Sequence, residues 1–185
     1  MNEFEMTGLE NMVYFLGMEI MYSEKGIILH QLKYELELLK RFELLNCKVV
    51  VTPADTNQKL DSDSDGDDVY ATMFKQSVDS LRYLCNTRAD IFYAVGMNFK
   101  AAVRILRYIK ETLKYRVLFS SGAEPDSELQ SYSDSDWCGD KVDKRSTYGY
   151  LFKFLGSPIS WFSKKQPIVA LSTCEAKYIT GNLGR

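Results

Sequence analysis

Residues 54–68 divide the chain. They are rich in Asp and Ser, contain Gly66 and almost no apolar side chain, and so have little to bury in a core. Whatever core the 185 residues possess must come from the runs on either side of this acidic linker. Those runs suffice for a globular fold, since hydrophobic residues make up 45% of the chain and charged residues 26%. Lys+Arg number 23 against Asp+Glu 25, a net charge of −2, so overall charge points to no nucleic-acid or membrane partner. No apolar stretch approaches the ~18–20 residues that span a bilayer. The first ten residues, MNEFEMTGLE, lack the basic-then-apolar pattern of a secretory signal, and an intracellular location is expected.

Periodicity places the elements. Residues 12–22 are apolar and aromatic, Ser23 to Gly26 read as a turn, and Ile27, Ile28 and Leu29 resume the run, which predicts a β-hairpin. Leu32, Leu36, Leu39 and Phe42 then fall at helical spacing, for a helix stopping near Asn46. Helical spacing returns over 73–84 and 91–114, with a break at 87–90. Three short strands are predicted at 129–134, 148–155 and 159–163, and a helix starts near Ser172.

Several candidate sites can be weighed on residue chemistry. Cys47, Cys85, Cys138 and Cys174 are scattered and His30 is the single histidine, which excludes the usual zinc ligand spacings. A Ser-His or Cys-His nucleophile would have to use His30, and no nucleophile elbow accompanies it; His30 reads as a strand-end or helix-start residue. Asp61, Asp63, Asp65 and Gly66 mimic the first half of an EF-hand loop, but its twelfth position is Thr72, where Ca²⁺ needs a bidentate carboxylate. Lys100, Arg104, Arg107, Lys110 and Lys114 step by three or four residues along one side of a helix, opposite Ala102, Ile105, Leu106, Ile109 and Leu113. That stripe is either a solvated face or a surface that tracks phosphates. Asp134 ends a predicted strand and is followed by Asp136 and Asp140. Such a run is a polar turn or, where further acids converge, a Mg²⁺ site.

Taken in order, these segments resemble the Pol polyprotein of Copia-type retrotransposons. Residues 4–20 (FEMTGLENMVYFLGMEI) are similar to the end of the reverse-transcriptase palm with its primer-grip hairpin, and 30–42 (HQLKYELELLKRF) to the thumb-region helix. Residues 80–95 (SLRYLCNTRADIFYAV) and 101–110 (AAVRILRYIK) resemble the connecting segment. Residues 132–140 (YSDSDWCGD), 145–150 (RSTYGY) and 159–178 (ISWFSKKQPIVALSTCEAKYI) resemble the first half of an RNase H domain. The resemblance implies an α+β chain: the palm end, primer-grip hairpin and thumb helix at 1–53, an acidic linker at 54–72, a helical connection at 73–119, and at 120–185 a truncated RNase H-like unit of three antiparallel strands plus a helix. It also implies Phe15, Leu16, Gly17 and Met18 as primer-grip residues, RNA–DNA hybrid and the rest of the polyprotein as partners, and Mg²⁺ as the family's cofactor.

The departures from the family pattern set the functional expectation. The polymerase Tyr-x-Asp-Asp turn does not occur in the chain. Asp134 matches the first RNase H carboxylate. The family's Ser-Thr-x-Glu-Ala-Glu-Tyr becomes Ser172-Thr173-Cys174-Glu175-Ala176-Lys177-Tyr178, with Lys177 at the glutamate that would hold metal. Glu175 lies about 200° away round the helix and is a poor substitute. Asp79 replaces a usual Gly, Ala89 replaces a usual Pro, and a His-Trp stretch is missing between Phe99 and Lys100. The expectation is a pseudogene-like fragment of a transposable element, with no catalysis of its own and no productively bound Mg²⁺. The alternative is a binding module that uses the basic helix 100–114. An apolar sheet face built from Tyr150, Phe152 and Phe154 is expected to be poorly covered.

Overall fold

The computed structural model describes residues 11–54, 68–95, 99–122, 128–140 and 142–183. The fold is mixed α+β, with four helices and two antiparallel sheets among these residues. The EF-hand-like stretch from Asp61 to Gly66 lies outside them, as do the first ten residues and Gly66's neighbours in the linker.

The first sheet contains β1 (Tyr14–Phe15), β2 (Met18–Ser23), β3 (Gly26–His30) and β4 (Val117–Ser120), in that order. The apolar run at 12–22 is therefore not one strand. It folds back at Leu16 and Gly17, whose φ angles of 46° and 78° suit a two-residue hairpin turn of the type that matches strand twist. β4 is absent from the sequence expectation, which ran a helical connection up to 119. It pairs antiparallel with β3 through Ile28↔Leu118 and Leu29↔Val117. At the end of that pairing a Cβ on Gly26 would lie 2.0 Å from the Phe119 carbonyl oxygen, so only glycine admits β4 there.

Helix α1 (Leu32–Arg41) ends earlier than expected, followed by turns in which Glu43 adopts φ 56°. Helix α2 (Asp68–Leu84) starts five residues before the expected 73. The helix expected over 91–114 is shorter: residues 91–95 form turns, and α3 runs from Phe99 to Glu111. The turn that follows α2 carries Ile91 and Ala94 into the core, so their apolar spacing reflects burial rather than helix. Leu38 and Leu39 of α1, Leu81 and Leu84 of α2, and Ile105, Leu106 and Ile109 of α3 complete that core.

The second sheet matches expectation closely: β5 (Gln130–Ser135), β6 (Thr147–Phe154) and β7 (Ser157–Lys165), in sequential antiparallel order with a bulge at Phe152/Lys153. Helix α4 (Thr173–Leu183) packs along β5. Tyr148, Tyr150, Phe152 and Phe162 form an aromatic ladder on this sheet, with the Tyr150 and Phe162 rings stacked at 5.7 Å. Tyr148 is buried, Tyr150 and Phe152 are half-buried, and Phe154 and Phe162 are 41% and 40% exposed, so of the three residues expected on a poorly covered face only Phe154 is exposed.

Candidate functional site

The acidic end of β5 was the strongest catalytic candidate. Asp134 pairs with Gly149, which in turn pairs with Ser163 of β7. A Cβ on Gly149 would lie 3.2 Å from the Phe92 ring and 3.5 Å from that of Tyr93, so the turn after α2 packs on this row. The Asp134 carboxylate accepts a hydrogen bond from the Ser135 N–H at 2.9 Å. Asp136 accepts one from the Thr147 N–H. Burial raises the Asp136 carboxyl, with Asp134 and Asp140 adding repulsion that this bond only partly offsets. Burial, together with the charges of Asp136 and Asp134, pushes the Tyr93 phenol up to about 12. Asp140 is paired with Lys165, whose contact holds its carboxyl low.

The helix partners of these acids do not converge on a cation. Ser172 is the N-cap of α4, accepting from the Glu175 N–H at 3.1 Å, while the Glu175 carboxylate accepts from the Leu171 N–H at 2.7 Å. The Ser172 bond satisfies one donor that a helix start leaves free, and the Glu175 carboxylate ties back the residue before the cap. Glu175 is therefore held by the helix terminus, and Lys177 is exposed one half-turn on. Among the described residues no group of three or more His, Cys, Asp or Glu is placed to hold a metal ion. The residues present do not fit the pair of Mg²⁺ ions that the family resemblance implies, and no chemistry is routed through them.

The hairpin of Phe15, Leu16, Gly17 and Met18 is anchored rather than free. The Tyr83 hydroxyl of α2 donates to the Leu16 carbonyl at 2.7 Å, and a Cβ on Gly17 would fall 1.6 Å from that hydroxyl. Phe15 and Leu16 are exposed and Met18 is half-buried. The basic stripe is divided. Arg104 donates to the Thr52 carbonyl and hydroxyl, and Lys110 donates to the Cys47 carbonyl at 2.7 Å, so both seat the extended segment after α1. Arg107 and Lys114 are exposed. The side chain of Lys100 lies outside the described residues.

Sequence reasoning missed the most ordered polar cluster. Arg88 is 2% exposed and every N–H of its guanidinium is bonded. Nε and one terminal nitrogen grip Asp90 at 2.9 and 2.7 Å, and that terminal nitrogen also donates to the Thr112 hydroxyl; the other terminal nitrogen donates to Glu35 of α1 at 2.7 Å and to the Thr112 carbonyl. The Tyr108 and Tyr115 rings lie 5.6 and 5.7 Å from its Cζ. With all five donors occupied, Arg88 has none left for an anion. One cation serves two acids, and the deeper acid yields: burial pushes Glu35 up to about 7 against the pull of Arg88. Burial alone would raise Asp90, but the Arg88 contacts outweigh it and hold that carboxyl below its ordinary value. One signal was available, since Glu35 sits three residues after Leu32 and four before Leu39, on the apolar side of α1. Nearby, the Thr87 hydroxyl donates to Gln31 at 2.8 Å, and His30, buried at the end of β3 as expected, lies 3.6 Å from Glu19.

None of the four cysteines is disulfide-bonded, and burial pushes the Cys85 thiol up to about 12, which leaves it inert as a nucleophile at neutral pH. No described helix is long and apolar enough to cross a membrane.

The described residues define a mixed α+β protein in which the carboxylates of Asp134, Asp136 and Glu175 each accept a local backbone hydrogen bond. Comparison with known proteins gives the relationship: the chain is homologous to the Pol polyproteins of Copia-type retrotransposons. It is 38% identical over 91% of its length to the retrovirus-related Pol polyprotein of transposon RE2 from Arabidopsis thaliana. It is 35% identical over 95% of its length to that of transposon TNT 1-94 from Nicotiana tabacum. It spans 12% and 14% of those two proteins. An uncharacterized mitochondrial protein of Arabidopsis thaliana is 35% identical over 95% of the chain, which covers 76% of that relative. No protein-family model and no solved structure matches the chain.

Proposed function

We propose that the chain corresponds to the junction between reverse transcriptase and RNase H in a Copia-type Pol polyprotein, and that it catalyses neither DNA synthesis nor hybrid hydrolysis by itself. In this reading residues 1–53 carry the palm end, primer-grip hairpin and thumb helix, 54–72 the linker, 73–119 the connection, and 120–185 the first half of the RNase H-like unit. The observation that carries the inactive reading is on α4. A lysine stands at the metal-holding position of the family pattern, and the neighbouring Glu175 carboxylate is engaged by the Leu171 N–H just before its own helix.

The test is cleavage of an RNA–DNA hybrid in Mg²⁺ by the chain and by its Asp134→Asn and Lys177→Glu variants. No cleavage by any of the three is the expected result. Cleavage that Asp134→Asn abolishes and Lys177→Glu increases would overturn the reading.

The exposed cations on α3 and in the turn that follows it favour a second reading, a non-catalytic nucleic-acid binder. Arg107 and Lys114 are exposed, whereas Arg104 and Lys110 hold the chain's own backbone. Affinity for the hybrid should then fall with salt at a log–log slope of about −0.9 per phosphate contact, and less steeply in an Arg107→Glu, Lys114→Glu variant. A flat dependence removes this reading.

A further inference from the structure

The free edge of β7 borders a groove. In the β6–β7 ladder the Gln166 N–H donates to the Ser146 carbonyl at 2.8 Å. Antiparallel alternation then assigns Tyr148↔Lys164 and Tyr150↔Phe162 as the bonded pairs, which turns the N–H and C=O groups of Trp161 and Ser163 away from β6. Neither residue makes another backbone hydrogen bond among the described residues. Both line a cavity of about 460 Å³, together with Ile159 on the strand side and Arg82, Asn86 and Phe92 on the opposite wall. The Trp161 indole N–H donates to the Cys85 carbonyl at 2.7 Å and ties the strand to the end of α2.

The ends of β7 carry devices that discourage edge pairing: Pro158 and the nearby bulge at one end, Lys164 and Lys165 at the other. Between them five residues remain open, with Ile159 48% and Phe162 40% exposed. Arg82 is exposed on the facing wall, with no ion pair among the described residues.

We infer that this groove takes an extended peptide segment, which adds to β7 as an antiparallel or parallel strand and presents a carboxylate to Arg82. A strand supplies alternating amide donors and acceptors that match those of Trp161 and Ser163, and its apolar side chains cover Ile159 and Phe92. The single cation fits one acidic side chain. A nucleic-acid strand would need a row of cations to follow its phosphates, and this wall has only Arg82.

The experiment is a titration of the full chain with a blocked pentapeptide of sequence Glu-Val-Thr-Val-Thr, followed by amide NMR and hydrogen exchange. The expected result is slowed exchange at Trp161 and Ser163, at least tenfold weaker binding by an Arg82→Glu variant, and recovery of that variant's binding with the Lys-Val-Thr-Val-Thr peptide. Recovery also shows that the variant is folded. No binding at millimolar peptide overturns the inference. So does equal binding by Arg82→Glu, or protection at Ser131 and Ser133 of β5 instead of on β7. Stronger perturbation of the same amides by a thymidine decanucleotide would assign the groove to nucleic acid and equally overturn it.

Discussion

Arg88 ties three segments that are remote in sequence, since its partners are Glu35 on α1, Asp90 beside it and Thr112 after α3. Removing a buried cation from two acids leaves uncompensated charge. Arg88→Met is expected to lower unfolding free energy by about 3–5 kcal/mol, read from urea denaturation. Arg88→Lys should recover little of this, because a point charge cannot fill five directed positions. The same cluster sets a pH dependence. Glu35 is raised from an ordinary value of 4.5 to about 7, so the folded state holds the extra proton between those values. Stability therefore falls as pH rises through that window. Asp90 is lowered, so its contribution is present above its ordinary value of 3.8 and is lost as pH falls through its folded value. Thermal midpoints measured from pH 4 upward should decline towards pH 7, and Glu35→Gln should flatten the decline. A rising midpoint over that range would contradict the assignment. Little of this cluster was legible beforehand, because the sequence displays Arg88 and Asp90 in a polar break between apolar runs, where solvation is the ordinary fate of charge.

Element by element, legibility tracked how local the determining interactions are. The three strands of the second sheet and the start of α4 followed from alternation and from Ser172 at the cap, signals contained within a few residues. β4 did not, because Val117–Ser120 is only four residues long and its strand character comes from pairing with β3, some ninety residues earlier. The shortened α3 has a similar cause: Ile91 and Ala94 keep apolar spacing because a turn buries them. Gly26 gives this scale its test. Its φ is 134°, and an added Cβ would meet the Phe119 carbonyl, so Gly26→Ala should detach β4. The expected outcome is faster amide exchange at β4 and β3 with α4 unchanged. Unaltered exchange at Leu118 would show that the strand tolerates the side chain.

Among the described residues, the second sheet meets the helices and the first sheet through Trp161 on the Cys85 carbonyl, Ser157 on the Leu118 carbonyl of β4, and Phe92 with Tyr93 over Gly149. The contact at Gly149 depends on the missing side chain. Gly149→Val should displace both rings and uncouple the halves, so that calorimetry resolves two transitions in place of one. A single transition at a lower midpoint would instead place Gly149 in one cooperative unit. The same contact bears on the candidate site, since it fixes which neighbours Asp134 has. Motif matching identified Asp134, Glu175 and Lys177 as the residues on which activity turns. It did not reveal that Asp134 bonds the next amide or that the Glu175 carboxylate accepts from the Leu171 N–H.

The amino-acid order alone determined the family resemblance, most of the strands and helices, and the helix start at Ser172. Each of these is written in side-chain period or in identity at a motif position. Tertiary structure decided the pairing of β4, the burial of Arg88 between two acids, the division of the basic stripe and the groove beside β7. Those depend on which distant groups meet, and a charge or an amide takes its meaning from the partner and the solvent it finds there.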